Sequence, residues 1–353
     1  MKIKRNLKVP TGNILVVEGS KGDLEMLSLY DYGKDKNVKA DFLGLERKLT
    51  KVEHTDLLLP LEDKWVITIS TQYSCNMGCK FCSVPEVKVK NRSDINATFN
   101  DLIQQVLTGI HLHPEVKYSN HLNVHFARCG EPTWNPNVLD AAKWMREHLY
   151  RDENGKIQYN VHPVVSTMMP RRNEWLKTFI HTWMRIKNRV YEGNAGLQLS
   201  INSTNEDERR IMFNNQALSL SEISNIMSGV IPFGRKITLN FAVADYEIDP
   251  NVLLQYFNPE HYIIKLTPMH KTEAAIKHNI KTKGDYTTYT PYDQHELALK
   301  NAGYDVLVFI ASKEEDEGLI TCGNAILSGT NPTIEYKEEV VATDYITNEL
   351  ERY

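Results

Sequence analysis

The stretch Lys64-Trp-Val-Ile-Thr-Ile-Ser-Thr-Gln-Tyr-Ser-Cys75-Asn-Met-Gly-Cys79-Lys-Phe-Cys82 decides how the rest of the chain is read. Its first half, Lys64–Ser70, is strand-like, and its second half is a cysteine triad spaced C-x3-C-x2-C. Thiolates are natural ligands of iron, and three of them ligate three corners of a [4Fe-4S] cluster while leaving one iron open. An open corner points to chemistry rather than to electron storage. A zinc site is the other reading of clustered cysteines, but it normally takes four closed ligands, often from two C-x2-C units. Only one C-x2-C is present, between Cys79 and Cys82.

The triad resembles that of the radical S-adenosylmethionine (SAM) enzymes, down to Phe81 between its last two cysteines. The resemblance implies that SAM binds the open iron through its amino and carboxylate groups. It also implies reductive cleavage to a 5′-deoxyadenosyl radical, with an electron donor such as flavodoxin or ferredoxin.

The composition fits a globular protein with room for a full core: 353 residues, 41% apolar and 24% charged. A formal charge of -4, from 41 Lys plus Arg against 45 Asp plus Glu, gives no global basic field for nucleic acid, although a local patch stays open. The N-terminus has positive charge without a following apolar run, and no stretch approaches a membrane span, so a cytoplasmic protein is expected. Five cysteines, an odd count in a long chain, argue against a disulfide framework and leave Cys129 and Cys322 to be explained.

Extended apolar runs alternate with amphipathic stretches. Strands are predicted at 64–70, 121–127, 159–165, 196–201, 236–243, 262–266 and 304–310. Helices are predicted at 97–110, 136–149, 171–186, 219–229, 250–257 and 291–302. This alternation predicts an α/β fold with a parallel sheet and crossover helices. Six such units and a seventh strand suit a partial, open (βα)6 barrel, TIM-like and of the radical SAM type, over residues 61–329. Residues 1–60 read as a small N-terminal β extension with runs at Asn13–Glu18, Asp23–Tyr30 and Val38–Phe42, and 330–353 as a polar C-terminal tail. Parallel barrels gather their chemistry at the C-terminal strand ends. The segments there are the cysteine loop, Arg128-Cys-Gly-Glu-Pro132, Ser166-Thr167, Asn202-Ser-Thr-Asn205, Asp245, Thr267-Pro-Met-His270 and Thr321-Cys-Gly-Asn324.

Taken together these segments resemble one family, the adenine-methylating radical SAM enzymes RlmN and Cfr. Ile69-Ser-Thr-Gln-Tyr-Ser-Cys75 is similar to their Ser-Ser-Gln-Val-Gly-Cys, and Gly130-Glu-Pro132 to the end of their Gly-Met-Gly-Glu-Pro. Val165-Ser-Thr167 matches their Ser-Thr segment, and Leu199-Ser-Ile-Asn-Ser-Thr-Asn205 with the following Glu-Asp-Glu-Arg-Arg follows their Ser-Leu-His-Ala-Pro-Asn-Asp-Glu-x-Arg. Cys322-Gly-Asn324 parallels their Cys-Gly-Gln. The similarity is patchy but collinear from about 53 to 329. It implies that Phe81, Gly130, Glu131, Ser166, Ser200, Ile201, Asn202 and His270 surround SAM, where a carboxylate and short hydroxyls suit an ammonium and a ribose. Singly, Gly130-Glu-Pro132 also reads as a turn and Ser200 as a strand-end hydroxyl. The resemblance further implies that Cys322 accepts a methyl group from one SAM and carries it to adenine, a covalent route that divides a difficult step in two.

Two positions depart from that pattern. The family resolves its crosslink to RNA with a cysteine seven residues before the triad, and Thr68 stands there. Cys129, where the family has methionine, is the candidate to compensate by pairing with Cys322; the plain alternative is strand-end packing. The family's glutamate ahead of the barrel is replaced by Thr55, with Glu53 on the same face if this is a strand. RNA is the expected substrate, gripped by residues such as Lys88, Lys90, Arg92, Arg171 and Arg172 with Trp134 or Tyr73 for stacking; a solvated basic face is the alternative. Two other functions remain open: a radical SAM enzyme with non-methylating chemistry on a free nucleotide, DNA or peptide, and a non-catalytic iron-sulfur or zinc module.

Overall fold

The computed structural model describes residues 1–31, 38–39, 58–86, 92–282, 288–311, 313–321 and 323–339. The first predicted barrel strand is β5 (Trp65–Ile69), preceded by β1 (Ile3–Val9), β2 (Gly12–Gly19), β3 (Gly22–Tyr30) and β4 (Val38–Lys39). Then come α1 (Phe99–His111), β6 (Ser119–Phe126), α2 (Asn137–His148), β7 (Tyr159–Thr167), α3 (Leu176–Arg185) and β8 (Gly196–Ser200). They are followed by α4 (Glu206–Met212), α5 (Leu220–Met227), β9 (Ile237–Val243), α6 (Pro250–Leu254) and β10 (Tyr262–Pro268). The last elements are α7 (Glu273–Lys277), α8 (Thr290–Asn301), β11 (Asp305–Phe309), α9 (Lys313–Glu317) and β12 (Lys337–Glu338).

The described strands form one 12-stranded sheet in the order β12-β1-β2-β3-β5-β6-β7-β8-β9-β10-β11-β4. From β5 to β11 every pairing is parallel and follows chain order. A doubly wound sheet would reverse its strand order at a switch point; this one does not, as expected of a barrel wall. The wall is open, because β3 pairs antiparallel with β5 and β4 pairs antiparallel with β11.

Strand pleating sorts the residues. Trp65, Ile67 and Ile69 are fully buried, and they join Leu102, Val106 and Ile110 of α1 in the main core between sheet and helices. Helix α1 starts at Thr98, whose side chain accepts from the Asp101 amide while the Asp101 carboxylate accepts from Thr98, a capping box. The alternate residues face inward, and this inner face is polar where parallel barrels usually carry branched apolar side chains. His121 stacks on His162 with ring centroids 3.9 Å apart. Burial, then neighbouring His162 and Lys64, pushes His121 down to about 4; burial, then Lys265 and Arg235, pushes His125 down to about 3.

The sheet's antiparallel part has its own core. Leu7, Val9, Ile14, Val16, Leu27 and Leu29 pack against Leu319 and Ile326, with Val66, Ile320 and Leu327 beside them. The segment after α9 therefore crosses the open side of the wall and lies on the N-terminal strands. Residues 40–42 of the predicted run Val38–Phe42 lie outside the described residues. Among the described residues no helix is long and apolar enough to cross a membrane.

Candidate active site

At the end of β5 the chain turns against the end of β6: the amides of Thr71 and Gln72 donate to the Cys129 carbonyl at 2.8 and 3.1 Å. The cysteine loop follows. The Cys75 amide donates to the Pro85 carbonyl and that of Cys82 to the Cys79 carbonyl, both at 3.1 Å. Gly78 has φ 59, and a Cβ there would lie 2.8 Å from Asn214 Nδ2 and Glu86 Cδ, so this turn excludes a side chain. Beneath the loop is an apolar bed of Met77, Trp134, Met212, Phe213 and Ala217, against which Cys75, Phe81 and Cys82 pack.

Burial, with Cys82 next, pushes the Cys75 thiol well above its ordinary value. Metal binding at this loop would therefore have to displace a proton. Three thiols in one short loop fit an iron-sulfur group by donor chemistry. Among the described residues no group of three His, Cys, Asp or Glu side chains is drawn together to hold a single metal ion. A cluster is wider than an ion.

Beside the loop, at the C-terminal strand ends, lies a cavity of ≈ 230 Å³. It is lined by Phe81, Gly130, Ser166, Ser200, Asn202 and His270, six of the residues singled out from the sequence. They come from the cysteine loop and from the ends of β6, β7, β8 and β10, which is why they are scattered along the chain. Gly130 has φ 98, and a Cβ there would sit 2.5 Å from the Gln72 Cβ. Asn202, also at positive φ, uses its Oδ1 to accept from the Ala242 amide at 3.0 Å. His270 Nδ1 lies 2.8 Å from Asp316 Oδ1.

Two of the residues expected around SAM sit behind the cavity wall. Glu131 is buried, and its carboxylate accepts from Thr133 Oγ1 at 2.7 Å, Thr167 Oγ1 at 2.6 Å and the Met168 amide at 3.0 Å. Burial raises its pKa, opposed by the Thr167 and Met168 hydrogen bonds. It thus braces the loops after β6 and β7. Ile201 is in the core, and its carbonyl accepts from the buried Arg209, which reaches the Leu218 carbonyl at 3.0 Å and covers the Phe213 ring. Sequence reasoning missed Gln72, Asn240 and Lys265. Gln72 donates to Asn96 Oδ1 at 2.7 Å and accepts from the Glu131 amide at 2.9 Å. Asn240 and Lys265 line the cavity, and Lys265 Nζ lies 5.1 Å from the Phe309 ring centre. Inward positions of β9 and β10 were the available signal.

Cys322 lies outside the described residues, but both its neighbours are described. Thr321 lines the same cavity as Phe81. The Gly323 carbonyl accepts from the Ser83 amide at 2.7 Å, and a Cβ on Gly323 would lie 3.6 Å from the Cys82 Cα. Cys129 is 3% exposed; burial, then Cys75 and Cys82, pushes its thiol up. Thr68 is paired in register with Leu27 and His125.

Of the residues expected to grip RNA, some lie among the described side chains. Trp134 is 7% exposed beneath the cysteine loop, which withdraws its ring from stacking, and the half-buried Tyr73 donates its hydroxyl to Asp101 at 2.8 Å. Arg171 is paired with Glu222 at 2.9 Å. Lys88, Lys90, Glu53 and Thr55 lie outside the described residues, as does the Arg92 side chain.

No family model matches the chain. An 86-residue stretch is 30% identical to the dual-specificity RNA methyltransferase RlmN of Bdellovibrio bacteriovorus, covering 24% of this chain and 19% of that protein. A longer alignment, 270 residues at 24% identity, reaches the probable dual-specificity RNA methyltransferase RlmN of Exiguobacterium sibiricum, over 75% of this chain and 65% of that one. The chain thus spans less than two thirds of either relative. A crystal structure of a radical SAM methyltransferase from Sphaerobacter thermophilus superposes with a TM-score of 0.58 at 17% identity, over 89% of this chain and 77% of that one. At that identity the likeness is one of fold. The chain is thus similar in sequence to RlmN proteins over most of its length, and it shares the fold of a radical SAM methyltransferase.

Proposed function

We propose that the chain is a radical SAM methyltransferase that adds a methyl group to an adenine carbon, in RNA, through Cys322. The observation that carries this reading is the meeting of two distant segments: Thr321 shares the cavity with Phe81, and the Gly323 carbonyl takes the Ser83 amide at 2.7 Å. A carrier cysteine needs such a place, between the cluster loop and the SAM cavity.

In this reading Cys75, Cys79 and Cys82 hold a [4Fe-4S] cluster, which when bound supplies the electron that cleaves SAM, delivered by a flavodoxin- or ferredoxin-type donor. Ser166, Ser200, Asn202 and His270 offer the hydrogen bonds of the SAM cavity, with Glu131 holding two of the loops that carry them. The Cys322 sulfur forms a bond to the methyl carbon of a first SAM as the sulfonium bond to that carbon breaks, and the thiol proton leaves to solvent. Radical chemistry is the fitting second stage, because the C2 and C8 carbons of adenine are poor nucleophiles. Thr68 has no sulfur to release a crosslinked product, which leaves Cys129, the buried neighbour of the cavity-lining Gly130, as the candidate for that step.

Thr68 also favours a second reading: the same scaffold acting on a free nucleotide, DNA or a peptide without methylation. Peptide mass spectrometry separates the two. Protein reconstituted anaerobically with iron and sulfide and incubated with methyl-labelled SAM is expected to carry the label on the Cys322 peptide. Formation of 5′-deoxyadenosine without that label would overturn the carrier role and leave the second reading.

A further inference from the structure

One buried ion pair lies outside the cavity and outside everything assigned above. Arg128, at the end of β6, and Glu25, on β3, are 2% and 0% exposed at their side chains. Arg128 Nε donates to Glu25 Oε1 at 2.8 Å, and Nη2 reaches the same oxygen. Every other hydrogen bond found for these two side chains goes to one segment. Arg128 donates to the carbonyls of Leu319 at 2.8 Å and Thr321 at 3.3 Å. Glu25 accepts from the amides of Ile326 at 3.3 Å and Leu327 at 2.9 Å.

The division is chemically complementary. The guanidinium has only donors and takes two carbonyls before position 322; the carboxylate has only acceptors and takes two amides after it. Apolar packing of Leu319 and Ile326 on the N-terminal strands would hold the segment down without fixing its direction. A buried pair is moreover poor evidence of added stability, since apolar residues of like volume often serve as well. What the pair adds is orientation at both ends of a short span.

We infer that Glu25 and Arg128 are positioning residues that fix the Leu319–Leu327 segment against the barrel mouth and so set the reach of its cysteine. The inference deepens the proposed function and rests on it for the identity of the group being positioned. Arg128 stands one residue before Cys129 and two before Gly130, so the same pair couples the segment to the cavity wall.

Hydrogen exchange by mass spectrometry on the full chain, reconstituted and with SAM, tests the tether. Glu25→Gln is expected to speed exchange at 319–327 by about tenfold, the loss of one charge-assisted hydrogen bond, while β6 and β7 stay as in the unaltered protein. The rate of methyl loading on the Cys322 peptide is expected to fall about as far, with SAM affinity unchanged. Unchanged exchange at 319–327 would overturn the inference, as would a rise spread evenly over β6 and β7, or a loosened segment that loads methyl at the normal rate. Should Glu25→Gln fail to fold, the pair Glu25→Leu with Arg128→Met leaves no lone buried charge and is read by the same criteria. Absence of methyl from Cys322 in the unaltered protein would remove the carrier reading alone, because the exchange comparison decides the tether by itself.

Discussion

The cysteine loop and the Leu319–Leu327 segment meet beside one cavity, and they differ in how they are held: the loop turns on local bonds, and the segment is gripped by a buried ion pair. The loop makes its turn with nearby atoms, Cys82 to Cys79, Cys75 to Pro85 and a glycine at positive φ, and its far end is bonded to Met212, Thr272 and Gly323 through Lys80, Phe81 and Ser83. The segment is held from far away in sequence, by Arg128 across 191 residues and by Glu25 across 302. A locally built loop keeps its shape when its ligand chemistry is removed, whereas a segment tethered from a distance depends on a few buried charges. That contrast can be broken or sharpened by substitution.

The largest effect is expected at the cysteine loop proposed to hold the cluster. Cys79→Ala should abolish iron uptake and SAM cleavage, seen as loss of the charge-transfer absorbance after reconstitution, while the metal-free protein melts within a few degrees of the unaltered one. A collapse of the metal-free fold would contradict a self-held loop. Next comes Arg128→Met, which strands the Glu25 carboxylate in the interior and should cost about 3–5 kcal/mol in chemical denaturation, with much of the loss recovered in the double variant Arg128→Met, Glu25→Leu. A cost below about 1 kcal/mol would mean that the pair is solvated and the tether weak. Gly130→Ala joins the two regions: the new Cβ would meet Gln72 at 2.5 Å on a backbone of φ 98. About 1–3 kcal/mol of strain is expected, together with weaker SAM binding by calorimetry. Normal binding would show that the wall yields at that point.

The smallest effect near neutrality concerns the polar inner face below both regions. His121 and His125 are held at about 4 and about 3, against an ordinary value of 6.5. On acidification from pH 6.5 the unfolded chain takes up protons that the folded chain refuses until about pH 4, so stability must fall through that window. Melting temperatures recorded between pH 7 and 4.5 should decline, and His125→Gln should flatten the decline. An unchanged slope would mean that His125 is protonated within the fold.

Much of this architecture is legible in the chain. The strand expected at 64–70 is β5 at Trp65–Ile69, and the one expected at 236–243 is β9 at Ile237–Val243, because alternation over such a run has one reading. Short elements escape it. Helix α4 has too few residues for an apolar period, although Asn205, accepting from the amides of Asp207 and Glu208 ahead of three acidic residues, is a readable start signal. The helix expected from 171 begins at Leu176, since Arg172 turns at φ 56 and Pro170 bridges to Ala217. At the site, Ser166 and Ser200 line the cavity, whereas Glu131 is buried and bonded to Thr133, Thr167 and Met168. A motif names the residue but not which of its neighbours will claim its oxygens.

The sequence by itself determined what is local: the triad and its spacing, the alternation of strands with helices, and the glycines where the backbone must turn. Only the tertiary structure decided which strands form the wall in chain order, that Thr321 and Phe81 share a cavity, and that Glu25 and Arg128 close on the segment between Leu319 and Leu327. Periodicity and ligand spacing are set by bond geometry within a few residues. A buried charge finds its partner only when the whole sheet has brought β3, β6 and the C-terminal segment together, and no pattern along the chain records that meeting.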